Sequence, residues 1–249
     1  MSEPTELDGL RVVLVSTRNP LNLGAAARAM SNFGVLRMRV VSPYDVAFRA
    51  ARSAVGRAAD VLRNAEEFTT LADAVADCGL VVGTTAIQHR DLQHPLYRLD
   101  EGAVVLRQQM TATSVALVFG SEKTGLSNED LAHCHWLMHI PTRHEHLSMN
   151  LGQAVAVSLY ELSRQPAPAA TVDQPVPATA AELERVTLSL IGALQLSGYA
   201  SSASLATTEE RVRRLLRRMS LNARDAELLL GMLRQIDWKM RSESNETKS

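Results

Sequence analysis

Cysteine is nearly missing. Cys78 and Cys134 are the two in 249 residues, which excludes a disulfide framework, and neither has the CxxC partner of a zinc site. Both read as small buried hydrophobes. No apolar run approaches the roughly 20 residues of a membrane span. The opening MSEPTELDG also lacks the apolar stretch of a secretory signal, so no membrane association and a cytoplasmic location are expected. An excess of either charge is lacking too: 26 basic against 27 acidic residues leave a formal net charge of -1, and any basic surface for a nucleic acid must be local. The glycine patterns of nucleotide sites are absent as well. No GxGxxG follows the first apolar run, and GSEKTG at 120–125 lacks the Gly-Lys-Ser/Thr ending of a P-loop.

What is present is ordinary soluble composition, 46% hydrophobic and 21% charged, in a length that suits one α/β domain with an accessory piece. The organising stretch runs from Val115 to Leu162. It reads as strand, loop, helix, strand, loop, helix, the order of an open parallel α/β sheet. Ligands of such sheets lie outside the carboxyl ends of the strands, so the loops Gly120 to Gly125 and Pro141 to Asn150 mark the expected site.

Earlier in the chain, Arg11 to Val15 reads as a first strand, and the polar loop after it ends in a helix with Asn22 as N-cap. Met38 to Val41 is a second strand, with helices over 47–63 and Leu71 to Asp77. Leu80 to Gly83 is a buried strand whose small-residue exit, Gly83 to Ala86, permits close approach of a ligand, as it would permit a simple tight turn. From Ile87 to Met110 the pattern is weak, and an exposed loop is expected, with His89, Arg90 and His94 able to touch a polyanion. Val115 to Phe119 and Trp136 to Ile140 are strands, Ser127 with Asp130 forms a capping box for a helix to His133, and Leu151 to Ser163 is an amphipathic helix.

Arg28 alone would be a solvated helix residue. It gains meaning in combination: Asn22-x-Gly24-x-x-x-Arg28, then Phe119-Gly120-Ser121-Glu122-x-x-Gly125-Leu126-Ser127, then Ile140-Pro141 with Leu147-Ser148-Met149-Asn150-Leu151. These resemble the three ordered motifs of the SPOUT superfamily, TrmH-type RNA 2′-O-ribose methyltransferases, over residues 9 to 164. Within that group the chain is most similar to the TrmJ branch, in its VLV start, its VVGTTA and its appended helical segment.

The resemblance implies a Rossmann-like parallel sheet with a C-terminal trefoil knot, a homodimer, and S-adenosylmethionine as methyl donor, with no metal. The donor would be held by Thr84, Thr85, Ala86, Gly120, Ile140, Leu147, Ser148 and Met149. Arg28 would be catalytic, with Asn22, Glu122, Ser148 and Asn150 placing it and the RNA phosphate. Arg18, Arg28 and Arg143 would contact RNA. The substrate would be tRNA, at the ribose of the first anticodon-loop nucleotide, position 32, cytidine or uridine. Ribosomal RNA, another tRNA loop, or a knotted RNA-binding protein without turnover are the alternatives.

Chemistry narrows the role of Arg28. Attack of a ribose 2′-hydroxyl on a sulfonium methyl requires proton removal, stabilisation of the developing alkoxide and alignment. A guanidinium with a pKa above roughly 12 is a poor base, so Arg28 is expected to stabilise the alkoxide and grip the neighbouring phosphate. Histidines 133, 135, 139, 144 and 146 crowd around Cys134, yet His133 and Cys134 fall on a helix end and His139 on a strand. Solvated or RNA-facing histidines are expected instead of a metal site.

After Arg164 the composition shifts. Residues 1–164 form the expected methyltransferase domain, 165–180 a Pro/Ala-rich linker and 181–249 a helical domain with a disordered tail, SESNETKS. Thr179 with Glu182, Thr207 with Glu210, and Asn222 with Asp225 would start three helices, running to Leu196, Met219 and Arg241. Leu215, Leu216, Leu228, Leu229, Leu230 and Leu233 would form their core. Five arginines fall in eight residues of the second helix, and Arg211, Arg214 and Arg218 are the candidates for phosphate contact.

Overall fold

The structure is a computed structural model and describes residues 7–44, 57–86, 93–143, 148–164 and 175–246. Seven parallel strands form one sheet in the order β3-β2-β1-β6-β4-β7-β5. They are β1 (Leu10–Val15), β2 (Met38–Val41), β3 (Glu66–Phe68), β4 (Leu80–Thr84), β5 (Leu96–Arg98), β6 (Val115–Phe119) and β7 (Trp136–His139). The central strands are buried on both faces, which is why they read as unbroken Val/Leu runs without polar alternation. The two-residue period still sorts them: Leu10, Val12 and Leu14 enter one core cluster, and Val13 and Val15 the other.

Helices α1 (Pro20–Asn32), α2 (Arg57–Arg63), α3 (Leu71–Ala74), α4 (Leu99–Met110), α5 (Asn128–Ala132) and α6 (Leu151–Ser163) cover the sheet. Ser127 and Asp130 do form a capping box on α5. Three expectations are corrected. The N-cap of α1 is Asn19, whose side chain accepts from Leu21 N–H at 2.9 Å, because Pro20 suits the first helical position and starts the helix three residues early. Asn22 is therefore free to turn sideways. The helix from Leu71 stops at Ala74, and residues 93–110 hold an edge strand and a helix where a loop was expected. In α4, Leu99, Ala103 and Leu106 keep the helical period, but Arg107 is also turned inward, donating to the Glu161 carbonyl at 3.0 Å, and so blurs the pattern. Residues 47–56 of the expected helix, and His89 and Arg90, lie outside the described residues.

Three further helices follow: α7 (Ala180–Leu196), α8 (Leu205–Arg218) and α9 (Ala223–Glu246). The capping box of Thr179 with Glu182 and the Asn222 bond to Asp225 N–H are present. Thr207 caps nothing: α8 starts at Leu205, which packs into the helical core, and α9 continues to Glu246. That core contains Leu216 and Leu230, with Leu229 and Leu233 against it, but Leu215 and Leu228 are 47% and 59% exposed. In α8 the inward positions belong to Val212, Arg213, Leu216 and Arg217, so the helical period excludes Leu215. The three helices dock on the sheet domain, with Ala180 and Ala181 N–H donating to the carbonyls of Cys78 and Ala76 at 2.8 and 3.0 Å.

Histidines 94, 133 and 135 are buried, contrary to the solvated or RNA-facing positions expected, while His144 and His146 lie outside the described residues. Both cysteines are buried, and burial raises their thiols to about 12. Among the described residues no group of three or more metal-ligating side chains gathers, and no helix is long and apolar enough to cross a membrane.

The buried histidines carry a pH prediction. Burial, aided by the charge of Arg217, lowers His135 to about 3, and its Nδ1 accepts the Val81 N–H at 3.0 Å, which only a neutral ring can do. Burial beside Arg213 and Arg217 lowers His133 to about 4. The unfolded chain takes up these protons below its own pKa of about 6.5 while the folded chain does not, so acid favours unfolding by up to about 1.4 kcal/mol per pH unit for each such group. Urea midpoints are expected to fall as pH drops from 7 through 4.5, and less steeply in His135→Gln. Equal slopes in the two proteins would remove His135 from this account.

Candidate active site

Because all strands run the same way, their carboxyl ends share one edge, and a cavity of about 290 Å³ opens there. It sits at the ends of β4, β6 and β7. Thr84, Thr85, Ala86, Gly120, Ile140, Ser148 and Met149, seven of the eight residues expected to hold the donor, line it; Leu147 lies outside the described residues. Phe119, Leu126 and Leu151, which stand in the motifs without an assigned role, and Leu131, Met138 and Ala154, which stand outside them, supply apolar wall. Their only signal in the sequence is apolarity, which the ordinary core shares.

The loop after β6 is closed tightly on itself. Ser121 O accepts Gly125 N–H at 2.9 Å, Ser121 Oγ and Thr124 Oγ1 are 2.9 Å apart, and Gly125 has φ +67°. A Cβ on Gly120 would stand 2.1 Å from the Gly125 carbonyl carbon and 2.2 Å from the Leu126 nitrogen. These are backbone atoms that cannot swing aside. Gly120→Ala is therefore expected to destabilise the chain by about 1–3 kcal/mol and to deform the cavity. A urea midpoint equal to that of the native chain would contradict it.

Outside this loop, three segments that are distant in sequence meet. Glu122 Oε1 accepts from Asn22 Nδ2 at 2.9 Å and from Asn19 N–H at 3.4 Å, and its Oε2 accepts from Arg18 N–H at 3.3 Å. Asn22 Oδ1 accepts from Asn150 Nδ2 at 2.8 Å, and Asn150 Oδ1 caps α6 by accepting from Gly152 and Gln153 N–H at 3.0 and 3.3 Å. A carboxylate that only accepts stands at one end and amide N–H groups that only donate stand at the other, which fixes the orientation of both asparagine amides between them. Partial desolvation pushes Glu122 up, but the bonds from Asn22, Arg18 and Asn19 outweigh it and hold its carboxyl below the ordinary range.

The remaining expected residues divide by position. Arg28 is on the exposed face of α1 and is not among the residues lining the cavity of its own chain; Arg18 and Arg143 are exposed, Arg143 next to the cavity-lining Thr142. On α8, Arg211 and Arg218 are exposed and Arg214 half-buried, while Arg213 and Arg217 turn inward onto Glu184.

A parallel α/β sheet with a cavity between loops at its carboxyl edge, and the matches that follow, define the class as that of the RNA 2′-O-methyltransferases. The SpoU rRNA Methylase family matches residues 9–160, and this chain belongs to that family. It is 36% identical over 239 residues to the tRNA (cytidine/uridine-2′-O-)-methyltransferase TrmJ of Yersinia enterocolitica, covering 93% of this chain and 92% of that protein. The enzyme of the same name from Sodalis glossinidius is 33% identical over 243 residues, 96% of this chain and 95% of that protein. Among solved structures, TrmJ from Z. mobilis ZM4 aligns with a TM-score of 0.78 at 33% identity, over 91% of this chain and 98% of that one.

Proposed function

We propose that this methylase transfers a methyl group from S-adenosylmethionine to the ribose 2′-hydroxyl of the first anticodon-loop nucleotide of tRNA, position 32, cytidine or uridine, in the cytoplasm. The observation that carries the reading is the Glu122–Asn22–Asn150 chain, which ties three motif segments together beside the cavity. The names of relatives matched over nine-tenths of the chain support the substrate.

The cavity suits the donor chemically: Leu126, Leu131 and Leu151 line it with apolar surface for an adenine face, and Thr84, Thr85, Ser121 and Thr124 with polar groups. Thr84 to Ala86, Gly120, Ile140 and the segment at Leu147 to Met149 would hold it, and the bound donor supplies the electrophilic methyl. Glu122, already ionised and engaged on both oxygens, anchors the start of α1. Asn150 fixes the start of α6, and Ser148 beside it offers a hydroxyl to the RNA phosphate.

Arg28 stabilises the incipient alkoxide. Since it does not line the cavity of its own chain, a homodimer that presents it to the partner's cavity is the arrangement this role requires. A trefoil knot is supported by the strand order, in which β6 and β7 are inserted between strands made earlier. A separate helical unit is supported by the apolar cluster of α7 to α9, which begins at Ala178, two residues before the expected end of the linker.

Labelled methyl transfer to unmodified tRNA transcripts, mapped by alkali resistance of the modified linkage, tests the reaction. Label at one anticodon-loop ribose is expected; label in ribosomal RNA alone would overturn the substrate. Arg211, Arg214 and Arg218 are proposed to contact phosphate. Replacing all three with alanine is expected to reduce the salt slope of tRNA binding by about 2–3 without lowering the melting temperature. An unchanged slope would reject that contact.

A further inference from the structure

On the same carboxyl edge of the sheet as the cavity, two strand exits are held in a conformation that non-glycine residues avoid. Ser16 and Ser42 have φ of 52° and 42°. They follow Val15 and Val41, which are paired in register on β1 and β2. Left-handed backbone at non-glycine residues persists only where the surroundings enforce it, and such residues collect at functional sites. Here the enforcement is visible: Ser16 N–H donates to Val41 O at 2.9 Å, Ser42 N–H to Phe68 O at 3.0 Å, and Ser42 Oγ to Thr69 O at 2.8 Å.

The result is that Tyr44 is brought against the loop after β1, its N–H donating to Thr17 O at 3.3 Å. Thr17 is itself 1% exposed with a hydroxyl that finds no partner among the described residues, and the next residue, Arg18, is bonded through its N–H to Glu122 in the cavity wall. The Tyr44 residue is 59% exposed and Leu21, three residues beyond Arg18, is 78% exposed. Among the described residues the other aromatic rings are engaged or lie elsewhere: Phe119 and Trp136 are buried, Tyr97 packs edge-on against Trp136, Tyr160 against Phe33, Phe68 lies under Arg39, Tyr199 follows α7 and Trp238 is on α9.

We propose that Tyr44 is the platform on which an unpaired base of the RNA stacks, beside the nucleotide being methylated, with Arg18 taking the phosphate on the same side. This rests on the methyltransferase reading above. The reaction touches only the ribose, so the base must be held by something outside the chemistry. Single-stranded RNA is recognised mainly by splayed bases on aromatic rings, and a stack on a ring accepts any base. A platform of this kind suits an enzyme whose target is cytidine or uridine. Ordering Tyr44 by two strained exits before RNA arrives reduces what must be ordered on binding.

The test compares Tyr44→Ala, Tyr44→Phe and Tyr44→Leu in the full chain, with KM for tRNA transcript, kcat, donor affinity and melting temperature all measured. Tyr44→Ala is expected to raise KM for tRNA by about tenfold, the effect of losing one base stack, with donor affinity and melting temperature kept; Tyr44→Phe restores KM and Tyr44→Leu does not. An unchanged KM in Tyr44→Ala, or equal rescue by leucine and phenylalanine, would overturn the platform. Tyr44→Trp gives an independent readout through its emission, corrected for the native chain. Quenching by an unpaired oligoribonucleotide supports the stack even if no methyl is transferred to tRNA, and its absence rejects the stack. Transfer failure in the native chain would overturn the substrate reading alone.

Discussion

Arg28→Ala is expected to lower the single-turnover rate of RNA methylation by about 10²- to 10³-fold, the loss seen when one donor is removed from a developing oxyanion. Donor affinity should be little changed, because the proposed role of Arg28 is toward the developing alkoxide and the RNA phosphate and not toward the donor. Its position on the exposed face of α1 means that truncation leaves the core intact, so the melting temperature should hold as well. Arg28→Lys tests the geometry: lysine keeps the charge but loses the planar fork that can hold an alkoxide and a phosphate together, and most of the rate is expected to be lost. Rapid quench under saturating donor and tRNA measures the rate, and calorimetry measures donor affinity. A rate within twofold of native for the alanine variant would remove Arg28 from the reaction.

The second large effect concerns stability. Glu184→Ala is expected to destabilise the protein by about 3–5 kcal/mol, the cost of leaving buried charge without its partner. Glu184 on α7 holds Arg213 of α8 through three bonds, Oε2 accepting from Nε at 3.0 Å and Oε1 from Nη2 at 2.9 Å and from Nε at 3.3 Å. Arg217, 1% exposed, lies 3.9 Å from the same carboxylate and donates to Ala180 O at 3.3 Å. Burial pulls Arg217 down to about 10 although Glu184 opposes it, so at neutral pH the guanidinium remains charged and depends on that carboxylate. Urea unfolding of Glu184→Ala, with Arg211→Ala as a surface control expected within about 0.5 kcal/mol of native, checks this. Equal midpoints for native and Glu184→Ala chains would mean that Glu209 alone suffices for Arg213.

The same two arginines mark where sequence stopped being informative. A run of five arginines suggests one solvated face, but helical spacing assigns positions 213 and 217 to the core side and 211, 214 and 218 to the other, and only the location of Glu184 decides which is inside. Strand β6 and helix α6 were legible to the residue because burial makes the one uniformly apolar and the other periodic, and β2 because Ser42-Pro43 ends it, although Arg39 interrupts its apolar run. Edge strands β3 and β5 were not, since three residues with exposed side chains leave no pattern to read. The residues expected to hold the donor came from the resemblance of the three motifs and not from spacing, and the amide chain through Asn22 and Asn150 joins residues 128 apart in sequence. Tyr44 gave no signal at all, because an aromatic after a proline in a loop is ordinary until the neighbouring exits are known.

The strand order also sets a timetable for synthesis. As the chain leaves the ribosome, β1 can pair with β2 and β2 with β3 once residue 68 has emerged, but β4 pairs only with β6 and β7. At about 5–20 residues per second, this apolar strand waits a few seconds without a neighbour, and the walls around the cavity are complete only after Ala154. Until then both edges of β4 are open, and an unpaired apolar strand is a template for pairing with another chain.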